Sequence, residues 1–317
     1  MKKPSGRILK ALAVPAVVLA ICADAIGADD AAFSWKKTKT GIEIRTGALT
    51  KRVDSYGKNT LRVTANLGED YATAPSICVI AKPTKEKWKV ANDTPESVTF
   101  SVGGLQVTAD KATGALTFAK EDGSVVLKEK ATSVEKRVIS DAPTYEVKQT
   151  FTLKPDEAIY GLGQSIRPFL NYRGQEILSV QANVPAYVNT ITSSENYGIF
   201  WDIASQSVFK DDANGMSIWS ESAPSGVDYY LMTGNSMDAV VHEYRRLTGA
   251  APMFPKQAFG FFMSKERYRT QQEVIGIVER FRAEKYPIDY IVQDWQYWKA
   301  EAGKWTSMTW CPERYPD

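Results

Sequence analysis

From Phe33 to Leu231 the chain alternates apolar and polar residues in short runs. GIEIRT (41–46), TLRVTAN (60–66), ESVTFSV (96–102), LQVTAD (105–110), ALTFAK (115–120), SVVLKEK (124–130), TYEVKQTFTL (144–153), YGIFWDI (197–203) and VDYYLM (227–232) carry the period of two expected of half-buried strands. Turn formers separate them: Ser55-Tyr56-Gly57, Gly103-Gly104, Ala112-Thr113-Gly114 and Glu121-Asp122-Gly123. Many short strands with such punctuation predict a large antiparallel sandwich. No repeat of fixed length accompanies them, which argues against a propeller.

Near residue 236 the period changes. Ser236 is placed to cap a helix through Met237, Val240, Val241 and Tyr244, and Gly249 with Pro252 stops it. After the linker APMFPKQA, the run AFGFFMS (258–264) is continuously apolar, the pattern of a strand buried on both faces. Thr270 and Glu273 form a capping box, and Val274, Ile277, Val278 and Phe281 share one face of the helix that follows. Pro287 ends that helix, and Ile288 to Val292 give a second buried run. Strand, helix and strand make a βαβ unit, so its two strands are expected to lie parallel in one sheet.

Residues 1–27 form a separate object. Lys2, Lys3, Arg7 and Lys10 are a basic start, and Ala11 to Ile21 an apolar stretch. That stretch is far shorter than the roughly 20 residues of a spanning helix. Ala25-Ile26-Gly27 is a small-residue exit, completing the pattern of a secretory signal peptide and a secreted or periplasmic product. Cys22 after Leu19-Ala20-Ile21 leaves an outer-membrane lipoprotein as the alternative, with membrane contact only through lipidation of that cysteine. The domains expected are therefore 1–27 signal peptide, 28–250 β-sandwich and 251–317 the start of a second, incomplete domain.

Removing residues 1–27 takes away four positive charges and one negative, so the formal net charge of +2 becomes −1. A near-neutral chain without a basic stripe is a poor partner for nucleic acid. Cys78 and Cys311 stand 233 positions apart, neither a zinc spacing nor a disulfide framework. The single histidine, His242, sits in the helical stretch MDAVVHEYRRL and reads as an ordinary helix side chain. No metal or organic cofactor is implied.

YIVQDWQYW (290–298) sets Asp294 among large aromatics just past the second parallel strand. In βαβ architectures ligands meet the carboxyl ends of strands. A carboxylate accepts hydrogen bonds from vicinal sugar hydroxyls while an indole covers the apolar C–H face of the ring. The plainer alternative is that Trp295, Tyr297 and Trp298 fill core space and Asp294 caps a turn.

Five blocks occur in order: GLGQ (161–164), NYRGQEI (171–177), ENYGIFWDIASQSVF (195–209), GFFMSKERYRTQQEV (260–274), and YPIDYIVQDWQYW followed by PERYPD (312–317). Together they resemble glycoside hydrolase family 31 over roughly Thr144 to Asp317. The resemblance implies a mainly β chain: a galactose-mutarotase-like antiparallel β-sandwich followed by the first βαβ unit of a truncated (β/α)8 TIM barrel. The activity implied is hydrolysis of α-linked oligosaccharides with retention. VQDWQYW is similar to the motif of bacterial α-xylosidases. By that similarity the substrate-binding residues are Asp294, which takes sugar hydroxyls, Trp295 and Gln296, which replace a smaller apolar residue and a second carboxylate, and Trp298. Asn183 in VQANVPAY is expected to reach the same site. A bulky Trp295 fills the space of a C6 hydroxymethyl, favouring xylose over glucose.

Retention needs two carboxylates about 5–5.5 Å apart. The family carries both on later barrel strands, and 68 residues follow Gly249 where a barrel takes about 250. The polypeptide is accordingly expected to be an inactive N-terminal fragment. Asp156, Asp202, Asp228, Glu266 and Asp289 receive no catalytic role. Asp289 is expected to cap the break at Pro287, and Lys265 and Glu266 to line the rim or pair with each other. The alternatives are an α-glucosidase or α-glycosyl transferase of the same family, or a non-catalytic carbohydrate-binding sandwich using Tyr187, Trp201 or Trp219 as stacking platforms. The sandwich is otherwise expected to serve as a structural partner of the barrel.

Overall fold

The computed structural model describes residues 33–68, 75–299, 305 and 309–316. The expected signal peptide and Cys22 lie outside the described residues. The chain divides into two compact units, Met1–Gly249 and Ala250–Asp317.

The first unit is built on two antiparallel sheets. One has the order β1 (Ser34–Lys37), β2 (Gly41–Thr46), β3 (Leu49–Ser55), β4 (Thr60–Leu67), β17 (Val227–Thr233), β14 (Tyr197–Trp201), β13 (Thr190–Ser193), β11 (Ile159–Gly161). The other has the order β12 (Glu176–Ser179), β15 (Ser207–Asp212), β16 (Gly215–Ser220), β10 (Ala142–Thr152), β9 (Val125–Ile139), β8 (Leu116–Lys120), β7 (Leu105–Asp110), β6 (Ser97–Val102), β5 (Lys89–Asp93). Alternate residues of both, among them Ile42, Val63, Phe100, Phe118, Phe151 and Ile218, enter one shared core, as the period of two requires.

β17 is buried at every position because its two faces meet different partners. Val227, Tyr229 and Leu231 point into the sandwich core, whereas Tyr230 and Met232 join Tyr56, Phe200, Val240 and Leu247 in a second cluster under helix α1 (Met237–Thr248). The helix begins and ends where the sequence indicates. Ser236 accepts a hydrogen bond from Ala239 N, and the Gly249 N–H donates to Arg245 O at φ 95°, a backbone angle glycine takes without strain.

In the second unit, β18 (Phe262–Lys265) and β19 (Tyr290–Gln293) pair in parallel, with α2 (Gln271–Ala283) between them in sequence. Thr270 caps α2 by accepting from Glu273 N, while the Glu273 carboxylate accepts from Arg269 N, one residue before the cap. Two expectations are corrected here. The run 258–264 is not one strand: Lys256–Phe259 winds into a 3-10 turn, and only its last part enters β18. Neither strand is buried on both faces, for β18 is largely exposed and β19 half-buried throughout. Phe261 stacks on Phe281 of α2 with centroids 5.7 Å apart, so the helix covers its strands through an aromatic contact.

Candidate functional site

Beyond their last ladder pair, Lys265 with Gln293, the two strands remain tied. The Trp295 N–H donates to Glu266 O at 2.8 Å, and Gln293 Oε1 accepts from Tyr268 N at 3.3 Å. The Arg267 guanidinium donates to Gln296 Oε1. Gln296 is buried and sits at φ 52°, in the left-handed region that non-glycine side chains rarely occupy. That turn lets successive residues diverge: Gln296 goes inward while Asp294 stands exposed just past the end of β19.

The aromatics of the motif pack on one another. Trp298 is 1% exposed and stacks on Trp305, with centroids 5.0 Å apart and planes 21° apart. Trp295 meets Trp298 edge-on at 5.1 Å and Trp305 at 4.4 Å, so its half-buried indole is braced from two directions. Trp298 also bridges Trp310, and its carbonyl accepts from Arg314 at 2.8 Å. Tyr315 donates its hydroxyl to Tyr268 O, while Gln271 N donates to Arg314 O at 2.9 Å. PERYPD therefore fastens the end of β19 to the start of α2.

Of the residues singled out in the sequence, Asp294, Trp295, Gln296 and Trp298 gather in this second unit, with Trp298 behind Trp295 rather than at the surface. Asn183 is exposed on the loop between β12 and β13 of the sandwich. Sequence reasoning missed Arg267 and Trp305. Arg267 carried no signal besides its place in KERYR, and Trp305 stands alone between segments without period. Lys265 and Glu266 do not pair with each other: Lys265 reaches Glu273 at 2.9 Å, and the nearest cation to Glu266 is Arg267 at 3.9 Å. Asp289 does not cap the break at Pro287. Its carboxylate accepts from Phe261 N at 2.9 Å, holding the entrance of β18.

The sandwich platforms fare differently. Trp201 is buried and donates its indole N–H to Ser220 at 2.8 Å, which removes it as a surface for a sugar. Trp219 is half-buried, its indole N–H held by Glu146 at 2.9 Å, and Tyr187 is half-buried on the loop with Asn183. Burial pushes the Asp228 carboxyl up to about 6 while hydrogen bonds from Arg62 pull it back. Among the described residues no group of three or more His, Cys, Asp or Glu is placed to hold a metal ion, and no helix is long and apolar enough to cross a membrane.

The glycosyl hydrolase 31 N-terminal galactose mutarotase-like domain matches residues 50–209, half of the chain. The chain belongs to glycoside hydrolase family 31. The TIM-barrel domain of the same family matches residues 251–317. An α-xylosidase from Saccharolobus solfataricus is 34% identical over 264 residues, covering 80% of this chain and 36% of that protein. The crystal structure of a family 31 α-xylosidase from a soil metagenome, complexed with xylose, superposes with a TM-score of 0.75 at 26% identity over 90% of this chain and 44% of that one. A family 31 α-xylosidase from Xanthomonas citri gives 0.77 at 21% identity over 89% and 47%, a likeness of fold. The chain thus spans less than half the length of each of these relatives. Its first unit is the family's mutarotase-like sandwich and its second the start of the barrel domain.

Proposed function

We propose that the second unit forms the sugar-holding wall of a retaining α-glycosidase whose pocket favours α-xylosides. The observation that carries this reading is the exposed Asp294 at the carboxyl end of a parallel barrel strand, beside the braced Trp295 indole. The carboxylate oxygens accept from adjacent hydroxyls, and the indole shields the C–H face of the ring. An indole braced by two neighbours resists swinging aside for a C6 hydroxymethyl group. Crowding of this kind discriminates by about 1–3 kcal/mol. The names of the similar α-xylosidases support the same preference.

Three acids of the second unit are tied to other tasks: Glu273 to Lys265 and Arg269 N, Asp289 to Phe261 N, and Glu313 to Lys299. We assign to this polypeptide the holding of sugar and not the breaking of the glycosidic bond, with the leader-like residues 1–27 directing export. Two measurements on the purified 317-residue chain test the reading. Release from an aryl α-xyloside should equal the blank, and xylose should bind about tenfold or more tightly than glucose. Turnover above the blank contradicts the division of labour, and a preference for glucose contradicts the xyloside pocket.

A further inference from the structure

Loops of the sandwich line an open cavity of about 330 Å3 whose lining includes Ser76, Asp202, Ile203, Ser222, Pro224 and Asp228. It is independent of how the end of β19 is read. Asp202 directly follows β14, and its N–H donates to Asp228 O in β17 at 3.0 Å, so two carboxylates enter from neighbouring strands.

They are not equivalent. Arg62 grips Asp228 in a two-pronged pair, Nε to Oδ1 at 2.9 Å and Nη2 to Oδ2 at 2.5 Å, and its guanidinium lies 5.4 Å from the Tyr230 ring centre. That carboxylate is neutralised in place. Asp202 has no such partner: its Oδ2 is buried and receives no hydrogen bond. Burial raises the Asp202 carboxyl, which the Ser76 hydroxyl and the Arg62 charge offset only in part. A buried carboxylate oxygen without a donor is among the costliest arrangements in a folded chain.

Among the described residues at this cavity, two carboxylates share one guanidinium. A hard divalent ion would want six or more oxygen ligands, and no cluster of three ligating side chains exists among the described residues. The rest of the wall mixes Ser76, Ser205, Ser222 and Ser225 with aliphatic groups from Pro75, Ile77, Ile203, Ala204, Ala223 and Pro224. The complementary ligand has one cationic N–H donor and a short apolar body.

We propose that this cavity binds an organic cation, a primary ammonium or guanidinium group on a short aliphatic chain, which donates to Asp202 Oδ2. A free alkylamine and a lysine or arginine side chain of a polypeptide offer the same chemistry.

The test titrates the 317-residue chain with n-butylammonium and with its neutral analogue n-butanol. Saturable binding of the ammonium is expected, at least about tenfold tighter than butanol and weakened by a similar factor in Asp202→Asn. Equal binding of butanol, undiminished binding to a folded Asp202→Asn, or no saturation by about 100 mM overturns the proposal. The comparison with butanol needs no variant, so it stands even where Asp202→Asn unfolds. Given ammonium binding, tighter binding of Nα-acetyl-lysine methylamide assigns a polypeptide side chain as the source, and its rejection assigns a free amine.

Discussion

Arg267, past the end of β18, donates to the side-chain carbonyl of Gln296, past the end of β19, and so holds a buried amide at a left-handed backbone angle of 52°. The bond fixes which end of the amide faces Arg267 and, through it, the turn that exposes Asp294. Replacing Arg267 with alanine leaves a buried carbonyl unpaired, at a cost of about 1–3 kcal/mol. Amide exchange at Trp295, whose N–H is bonded to Glu266 O, should accelerate accordingly in Arg267→Ala. Unchanged exchange there would mean the turn is held by other contacts.

Trp295 should set the width of the pocket. Trp295→Ala removes the indole braced by Trp298 and Trp305, and the preference for xylose over glucose should narrow by roughly 10–200-fold. Competition titrations with the two sugars measure it. A preference that survives intact would locate the selection elsewhere.

The sandwich core holds an ion pair out of water. Lys51 Nζ lies 2.5 Å from Glu129 Oε2, with side-chain exposures of 2% and 0%, and Glu129 also accepts from Leu116 N and the Tyr229 hydroxyl at 2.8 Å each. Removing one partner strands the other charge in the core. Lys51→Met should therefore cost about 3–5 kcal/mol in urea unfolding. A loss below about 1 kcal/mol would mean the core tolerates the unpaired carboxylate.

Glu43 gives a pH signature. Its buried carboxylate meets Lys36 at 3.0 Å, Arg45 at 3.2 Å and Arg52 at 2.8 Å. Burial alone would raise it, but the hydrogen bonds and charges of Lys36 and Arg52 outweigh burial and hold it below the ordinary carboxylate range. A depressed folded value contributes stability above the unfolded value of about 4.3 and loses it as pH falls through the folded one. The stability advantage of the natural chain over Glu43→Gln should be full near neutrality and shrink below about pH 4. An advantage constant with pH would assign it to packing.

Much of the sandwich was legible where one strand face is wet. SVTFSV and LQVTAD coincide with β6 and β7 because alternation reports half-burial directly. β5, exposed at all five positions, and β12, a four-residue edge strand, carry too little contrast to register. β9 runs to Ile139, well beyond SVVLKEK, because pairing with β10 rather than core contact sustains its exposed outer half. Helix α1 was legible at both ends because Ser236 and Gly249 act locally. AFGFFMS misled because apolar continuity does not distinguish a buried strand from a 3-10 turn whose Phe259 is 77% exposed. At the candidate site, residue type and position singled out Asp294 and Trp295 but left a sugar site and a packed core equally open. The bond between Arg267 and Gln296 depends on a backbone angle that spacing does not encode.

The most direct test of the central claim titrates the 317-residue chain with xylose, following tryptophan fluorescence from the Trp295, Trp298 and Trp305 cluster, beside the same titration of Asp294→Ala. Saturable quenching in the natural chain, weakened about tenfold or more in Asp294→Ala, is the expected result for a carboxylate that holds sugar hydroxyls. Equal affinity in the two chains would contradict it.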